Sequence, residues 1–320
     1  MAVKKIVFLD RDTIPAHIHI PSPAFGHQWV NYSETAPHEV ELRISDADII
    51  ISNKVYLGEE VLKSALKLEH IAVAATGVNN VDLDYCQRHN IRVTNIRSYA
   101  TQSVPEHIIG LLFALKRNLF AYHQDIAAGE WQRQNKFCFF THPIQDMAGS
   151  TLGIIGSGAL GQATAALARA IGINVQFSER KVVSDCRPGY VSFDDCLKTS
   201  DAIALLCPLT EDTRNLIDAQ ALSKMKTTAL LINTGRGGLV DEAALVTALK
   251  TGQIAGAGVD VFTQEPAAMD NPLVANHHLP NLILTPHVAW GSDSSISRLC
   301  EILVTNLEAA VDGIEQNRVV

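Results

Sequence analysis

Residues 151–162, which read TLGIIGSGALGQ, constrain the fold of this chain more than any other segment. An apolar strand leads into a G-x-G-x-x-G turn formed by Gly156, Gly158 and Gly161, and a helix is predicted to begin near Ala159. The first glycine permits the turn, the second lets a pyrophosphate approach the backbone, and the third lets the helix pack on the strand. The segment therefore predicts a βαβ unit that binds a dinucleotide at a helix N-terminus.

An acidic residue follows this turn at the spacing expected for a ribose contact. An alanine-rich helix is predicted over 163–170 and a strand over 174–178. The strand ends at Glu179, eighteen positions after Gly161. A carboxylate there is predicted to bind the adenosine ribose and to repel a 2′-phosphate, which favours NADH over NADPH. Arg180 and Lys181 come directly after Glu179 and are able to accept that phosphate, so NADPH stays open as the alternative.

Strands and helices alternate along most of the chain, which predicts parallel sheets with crossover helices. The glycine turn opens a set of six predicted strands: 151–156, 174–178, 202–207, 229–233, 256–261 and 282–285. Such a set suits a Rossmann-type, doubly wound dinucleotide domain. We predict an α/β fold of two domains, in which an NAD-binding domain (101–288) is inserted in a smaller flavodoxin-like substrate domain (1–100 plus 289–320).

Three further segments are assigned from pattern alone. Residues 10–41 contain several prolines and histidines, and we predict an irregular segment without an assigned function. Residues 102–129 are predicted to form one long helix that is apolar on more than one face. A final helix is predicted over 292–311.

Charge and cysteine usage exclude several classes of partner. The formal net charge is −8 and no block of like charge occurs, so nucleic acid and anionic membrane surfaces are not expected as main partners. The six cysteines form no C-x-x-C and no zinc spacing, which indicates reduced thiols and no metal site. No segment resembles a signal peptide or a membrane span, and we expect a cytoplasmic protein.

Functional side chains follow several of the predicted strands of the second domain, where ligands bind in open α/β sheets. Arg236 lies among glycines after one strand, and its planar fork suits a carboxylate. Asp260 lies within an apolar strand and is followed by Glu265, while His287 comes just after the last strand. Each of these residues alone is more commonly structural. Together they supply an acid, a base and a carboxylate clamp, which is the set needed for hydride transfer to a 2-keto acid.

Several motifs make the chain similar to a known family. It resembles the D-isomer-specific 2-hydroxyacid dehydrogenases over nearly its whole length, most of all the glycerate dehydrogenase (hydroxypyruvate reductase) branch. The family motifs lie at 76–82 (TGVNNVD), 156–161, 207–210 (CPLT), 233–237 (NTGRG), 258–262 (GVDVF), 265–266 (EP) and 286–287 (PH). The motifs that resemble the glycerate dehydrogenase branch are less specific. They lie at 129–132 (GEWQ) with 137–138 (FC), 158–162 (GALGQ), 178–181 (SERK) and 287–290 (HVAW).

The resemblance implies a role for each matched residue. Arg236 binds the substrate carboxylate, His287 donates a proton to the forming alkoxide, and Glu265 bonds the other nitrogen of the imidazole ring. On the substrate side, Thr76, Gly77 and Val78 hold the carboxylate, the last two through backbone N–H groups. Asp260 is implied to bond the nicotinamide carboxamide. The full set of implied cofactor contacts is Thr101, Gly156, Ser157, Gly158, Ala159, Leu160, Gly161, Glu179, Cys207, Pro208, Thr213, Thr234, Asp260 and His287.

The function implied by the resemblance is reversible, NADH-dependent reduction of hydroxypyruvate and glyoxylate to D-glycerate and glycolate. The small 2-keto or 2-hydroxy acid is then the partner, and a homodimer is implied as well. A D-lactate or phosphoglycerate dehydrogenase of the same family is the alternative enzyme, although the latter usually carries an added regulatory domain. Co-repressors that sense NAD share this fold and are a third reading, but they carry partner-binding tails that this sequence does not show.

Overall fold

The structure, a computed structural model, describes residues 3–183 and 185–320, and the chain divides into two compact units. The first unit comprises Met1–Tyr99 and Ser292–Val320, and the second comprises Ala100–Gly291. The second unit is therefore inserted in the sequence of the first. The NAD-binding role predicted for residues 101–288 and the substrate-binding role predicted for residues 1–100 and 289–320 stay predictions.

All the β-strands of the described residues are short and run parallel to their neighbours. They are β1 (Lys4–Phe8), β2 (His27–Asn31), β3 (Ile49–Ser52), β4 (His70–Val73), β5 (Arg92–Thr94), β6 (Thr151–Ile155), β7 (Asn174–Ser178), β8 (Tyr190–Val191), β9 (Ala202–Leu205), β10 (Leu230–Asn233), β11 (Gly256–Val259) and β12 (Leu282–Leu284).

Helices connect most of these strands, as parallel pairing requires. They are α1 (Val40–Ile44), α2 (Glu59–Leu62), α3 (Leu83–Arg88), α4 (Ser103–Lys116), α5 (Leu119–Ala127), α6 (Glu130–Gln134), α7 (Ala159–Ala170), α8 (Phe193–Thr199), α9 (Ala219–Lys224), α10 (Glu242–Lys250), α11 (Pro272–Ala275) and α12 (Asp293–Val311).

The first unit is built on a five-stranded sheet in the order β2-β1-β3-β4-β5. This is the strand order of flavodoxin-like folds. The central strands β3 and β4 are buried at every position, as strands covered by helices on both faces must be. Helix α12 belongs to the same unit, begins at the N-cap Ser292, and bonds back to the sheet edge through Asn306, whose amide donates to the carbonyl of Asn95.

The second unit is built on a seven-stranded sheet in the order β12-β11-β10-β9-β6-β7-β8. Counted within the unit, the order is 3-2-1-4-5-6-7, which is the Rossmann order with one more strand at the end. Strands β9, β10 and β11 are buried throughout, and the apolar core of the unit lies against them. The predicted α/β fold, with a Rossmann-type unit inserted in a flavodoxin-like unit, is confirmed.

Residues 10–41 are not irregular throughout, contrary to the prediction. Strand β2 lies within them and pairs with β1 at the edge of the first sheet. Its sequence, HQWVN, is mostly polar, and its residues are half-buried or exposed. A strand at the edge of a sheet has a neighbouring strand on one side only, so its residues are less buried than those of a central strand. It needs no apolar run, and hydropathy therefore did not predict β2.

The single helix predicted over 102–129 was also wrong, because the segment forms α4 and α5 instead. Asn118 separates the two helices with a left-handed backbone at φ 50°, and Gly129 ends α5 with φ 76°. A left-handed residue cannot continue a right-handed helix. The apolar pattern runs through the break, so periodicity alone could not locate it. The two-residue strand β8, absent from the six predicted strands, is too short to leave any pattern.

Candidate active site

The glycine turn joins β6 to α7 and shows why each glycine is needed. Gly156 has φ 115°, and a Cβ at this position would lie 2.5 Å from backbone atoms of Leu206 and Cys207. A Cβ on Gly161 would lie 2.0 Å from the carbonyl oxygen of Gly156. A Cβ on Gly158, in contrast, would meet no atom within 4 Å. The first and third glycines thus serve packing, while the second keeps open the space beside the N-terminus of α7, as a pyrophosphate requires.

This contrast gives a paired prediction. Gly161→Ala should destabilise the protein by about 2–3 kcal/mol, because its methyl group overlaps a backbone carbonyl that has little room to move. Gly158→Ala should leave stability within about 1 kcal/mol of the wild type and weaken NADH binding instead. Thermal unfolding and NADH fluorescence titration separate the two effects. Equal losses of stability in both variants would contradict the assignment.

The other candidate residues gather at one edge of the second sheet. Cys207, Thr234 and Asp260 lie just beyond the carboxyl ends of β9, β10 and β11, and His287 lies three residues beyond β12. Because these strands are parallel neighbours, their carboxyl ends meet at the same edge as the glycine turn after β6. The sheet reverses its winding between β6 and β9, and ligands of doubly wound folds bind at such a switch point.

Thr234 shows an unsatisfied hydroxyl at this edge. Its Oγ1 is buried and has no hydrogen-bond partner among the residues that the structure describes. A buried hydroxyl without a partner costs roughly 1–3 kcal/mol, so such atoms commonly serve a ligand. Together with the open side of Gly158, this hydroxyl fits a bound dinucleotide, as the sequence predicts.

Arg236 follows Thr234 in a turn shaped by buried groups. The buried amide of Asn233 donates to the carbonyl oxygen of Arg236 at 2.9 Å, and its oxygen accepts from the N–H of Gly235 at 3.2 Å. Gly237 has no room for a Cβ, which would lie 1.9 Å from the backbone of Phe262. The turn therefore fixes the backbone beneath a half-buried guanidinium, whose Nη1 donates to the carbonyl of Gly235 at 2.7 Å.

His287 and Glu265 form a hydrogen-bonded pair, although 22 positions separate them in the chain. The Nδ1–Oε2 distance is 2.6 Å, and the side chains are 26% and 33% exposed. The other carboxylate oxygen of Glu265 accepts from the backbone N–H of Phe262 at 3.0 Å. With Nδ1–H donating to a carboxylate, Nε2 is the nitrogen left to exchange a proton with a substrate. The pair can therefore act as an oriented acid–base.

Asp260 is 1% exposed, and both of its carboxylate oxygens are bonded within the chain. Oδ1 accepts from the backbone N–H of Val288 at 2.9 Å, and Oδ2 accepts from that of Ala289 at 3.0 Å. These bonds hold the loop that carries His287. The contact of Asp260 with a nicotinamide carboxamide stays a prediction.

Glu179 lies at the end of β7, but its carboxylate is bonded to a residue that the sequence reasoning missed. Arg187 donates from Nε at 2.7 Å and from Nη2 at 3.0 Å, and the N–H of Arg180 donates at 2.9 Å. The guanidinium lowers the pKa of Glu179 to about 2, which keeps the carboxylate ionised. Arg187 also lies 4.0 Å over the ring of Tyr190. The ribose contact of Glu179 stays a prediction, and Arg187 must yield one of these bonds to allow it.

The remaining candidates lie in the loops where the motifs place them. Thr213 bonds to the Pro208 carbonyl at 2.8 Å and fixes the loop after β9. Burial raises the pKa of the neighbouring Cys207 thiol to about 11, so it is neutral. Thr101 precedes α4, while Ser157, Ala159 and Leu160 form the turn and first residues of α7.

Thr76, Gly77 and Val78 belong to the first unit and follow β4. The hydroxyl of Thr76 donates to the carbonyl of Ile96 at 2.8 Å, and its own carbonyl accepts from the Asn95 amide at 2.7 Å. The substrate contacts implied for these three residues stay predictions. No cluster of three or more His, Cys, Asp or Glu side chains in residues 3–183 and 185–320 is arranged to hold a metal ion.

Comparisons with known proteins give matches that cover both units. The family model "D-isomer specific 2-hydroxyacid dehydrogenase, NAD binding domain" matches residues 109–289. The chain is 47% identical over 317 residues to a glycerate dehydrogenase of Methylorubrum extorquens, covering 98% of each protein. It is 37% identical over 290 residues to a hydroxypyruvate reductase of Blautia hydrogenotrophica, covering 89% of this chain and 88% of that one.

A solved structure is also similar over nearly the full length. The crystal structure of an NADPH-dependent glyoxylate/hydroxypyruvate reductase of Sinorhizobium meliloti, in complex with citrate, superposes with a TM-score of 0.81. The identity is 28%, and the match covers 99% of this chain and 98% of that one.

Proposed function

Because the chain belongs to the D-isomer-specific 2-hydroxyacid dehydrogenase family, we propose that it reduces hydroxypyruvate and glyoxylate with NADH to D-glycerate and glycolate. The predicted family, the NAD-dependent oxidoreductase class and the cofactor class are confirmed by the family match. The observation that carries the proposal is the 2.6 Å bond between His287 and Glu265 at the ligand-binding edge of the Rossmann-type sheet. The substrate follows the names of two of the relatives, a glycerate dehydrogenase and a hydroxypyruvate reductase.

The proposed roles follow from the chemistry of each side chain. When bound, the reduced nicotinamide supplies the hydride that C2 of the keto acid receives. Arg236 binds the carboxylate with its planar fork and polarises the carbonyl. His287 gives the proton on Nε2 to the forming alkoxide and takes it back in the reverse direction. Glu265 holds Nδ1–H and stabilises the imidazolium form. Hydride and proton together convert the ketone into the alcohol.

The same proposal assigns the backbone N–H groups of Gly77 and Val78 to the substrate carboxylate, with Thr76 shaping their loop. The bonds of Thr76 to Ile96 and Asn95 support this assignment, since they fix the start of that loop. Backbone donors add directional bonds to the carboxylate without adding charge.

The substrate is tested by NADH oxidation with the purified full-length protein. Initial rates are measured with hydroxypyruvate, glyoxylate, pyruvate and phosphohydroxypyruvate, first with NADH and then with NADPH. We expect the highest kcat/KM with hydroxypyruvate and NADH. Reduction of pyruvate or phosphohydroxypyruvate faster than that of hydroxypyruvate would indicate a D-lactate or a phosphoglycerate dehydrogenase, respectively. Tight NADH binding without turnover of any keto acid would favour the sensing role.

We propose that NADH is preferred because Glu179 holds the adenosine ribose, with Arg187 as its competing partner. Glu179→Ala should weaken NADH binding and raise the NADPH/NADH ratio of kcat/KM by roughly tenfold, since the freed guanidinium of Arg187 then suits a phosphate. Steady-state kinetics with both cofactors measure the ratio. The matched variant Arg187→Ala should lower the NADPH/NADH ratio. An unchanged ratio in both variants would show that Glu179 does not contact the cofactor.

The pH behaviour of this preference follows from the same ion pair. The pKa of Glu179 is lowered to about 2, so the pair with Arg187 is complete above the ordinary carboxyl pKa and is lost only as the pH falls toward about 2. Glu179 should therefore stay ionised and its effect on the cofactor ratio constant across the whole neutral range. The difference in this ratio between the wild type and Glu179→Ala should not depend on pH there, because the 2′-phosphate of NADPH titrates at about pH 6 in both proteins.

We also propose that the enzyme is a homodimer. Large apolar side chains of the second unit are exposed along the segment that follows α4: Leu119 (56%), Phe120 (53%), Phe137 (94%) and Phe140 (77%). Exposed apolar groups in such number are typical of an interface. Light scattering of the purified protein should give twice the chain mass, and Phe137→Ser with Phe140→Ser should lower it.

A cytoplasmic location is part of the proposal. All six cysteines are free, which suits a reducing compartment. Among the described residues, no helix has the length and apolar character needed to cross a membrane.

A further inference from the structure

The backbone of His287 adopts a conformation that the rest of the site must maintain. Its φ is 55°, in the left-handed region that residues other than glycine seldom occupy. Its N–H donates to the backbone carbonyl of Asp260 at 2.7 Å. The next two N–H groups, of Val288 and Ala289, donate to the carboxylate of Asp260. Three consecutive residues therefore depend on Asp260 for their position.

The carboxylate of Asp260 is itself held from the other side. The hydroxyl of Thr285 donates to its Oδ1 at 2.5 Å. His107, on helix α4, lies with Nε2 at 3.1 Å from the same hydroxyl oxygen. A hydroxyl has one proton, and Thr285 gives it to Asp260, so His107 must donate from Nε2–H and the hydroxyl must accept. His107 thus donates to Thr285 and Thr285 donates to Asp260, whose carboxylate accepts from this side and from the N–H groups of the loop on the other.

Helix α4 contacts the loop at a second point. Ser103 lies one turn before His107 and donates from Oγ to the carbonyl of Trp290 at 3.2 Å. The indole of Trp290 donates to the carbonyl of His287 at 2.9 Å. Both ends of the loop are therefore bonded to the same helical face, because residues four apart lie on one side of a helix. Asp260 is 1% exposed and the His107 side chain 22%, so water competes little for these bonds.

We propose that His107 and Thr285 are positioning residues that hold His287 in the orientation its proton transfer needs. The inference rests on the proposed function, in which His287 is the general acid. Neither residue touches the reacting atoms in the proposed mechanism. They act through Asp260, whose carboxylate holds residues 288 and 289 and thereby keeps the left-handed backbone of His287 and its imidazole against Glu265.

The test compares Thr285→Val, which removes the hydroxyl at nearly constant shape, with Thr285→Ser, which retains it. We expect Thr285→Val to lower kcat for hydroxypyruvate by about tenfold or more, while the KM for NADH stays within about twofold, because the general acid is displaced and cofactor binding is kept. Thr285→Ser should stay close to the wild type. Equal losses in both variants, or a changed NADH affinity with normal kcat, would overturn the proposal.

A second variant tests whether His107 acts through the same path. His107→Leu should lower kcat to a similar extent, and the double variant with Thr285→Val should be little worse than either alone, since both changes break one chain of bonds. Fully additive losses would mean that the two residues act separately and would overturn the proposal.

A measurement without substrate separates this inference from the proposed function. Amide hydrogen exchange of the peptide containing residues 287–290 should be faster in Thr285→Val than in Thr285→Ser, with peptides from β6 and α7 unchanged. Unchanged exchange would overturn the positioning role even if turnover fell. Failure of the wild type to reduce any keto acid would refute the proposed function instead, and the exchange result would still decide whether the loop is held this way.

Discussion

His287→Ala is expected to lower kcat for hydroxypyruvate reduction by about a hundredfold or more, because the forming alkoxide loses its proton donor. An alanine methyl group cannot take the place of the imidazole that bonds to Glu265 at 2.6 Å. NADH affinity should change little, since His287 is only one of many predicted cofactor contacts and those on the glycine turn and at Thr234 are untouched. Stopped-flow reduction under saturating NADH measures the chemical step, and fluorescence titration measures the cofactor.

The left-handed backbone at His287 calls for a matched control. Alanine tolerates φ 55° poorly, so part of any loss in His287→Ala could come from a shifted loop. Asparagine accepts this conformation more readily and cannot exchange a proton at neutral pH. His287→Asn should therefore lose as much activity as His287→Ala. Turnover close to that of the wild type in the asparagine variant would show that His287 is not the general acid.

Glu265→Gln examines the partner of the same pair. Glutamine can still accept from Nδ1–H, so the ring orientation is retained while the negative charge that stabilises the imidazolium is removed. We expect kcat/KM for hydroxypyruvate reduction to fall by about tenfold, because the ring keeps its orientation but the charge facing it is lost. A kcat/KM equal to that of the wild type would show that the charge of Glu265 does not matter.

The sequence could predict those parts of the site that are determined by backbone contacts close in the chain or by the order of the strands. Gly156 and Gly161 are required by contacts within the turn itself, so their spacing carries the information. The pairing of His287 with Glu265 follows from topology, because each residue comes shortly after one of two adjacent parallel strands, β11 and β12. Once the strands are recognised, the two side chains must lie near the same edge.

The parts that could not be predicted depend on loop conformation or on a side chain with an ordinary structural role. Arg187 lies near Glu179 because it comes three residues before β8, which pairs with β7 for two residues. The hydroxyl of Thr285 matters through a single short bond, and threonine at a strand end has no distinctive pattern. A histidine on a largely apolar helix is more commonly structural, and the contact of His107 with Thr285 appears only when α4 is placed beside β12.

Arg236 is the second residue whose loss should have a large effect, and its setting explains why. Its turn is fixed by the buried Asn233 amide and by Gly237, which leaves no space for a side chain. The backbone therefore should not move when the side chain is changed. A substitution at Arg236 therefore tests the contribution of the guanidinium alone, without a change in the backbone.

Arg236→Gln is expected to lower kcat/KM for hydroxypyruvate by roughly a hundred- to a thousandfold, since a charged donor to the carboxylate and the developing oxyanion is lost. The KM should rise and kcat should fall together, because the interaction is present in the ground state and strengthens in the transition state. Arg236→Lys retains the charge but not the fork, so it should recover only part of the loss. Full activity in the lysine variant would mean that charge alone suffices, and full activity in the glutamine variant would place the carboxylate elsewhere.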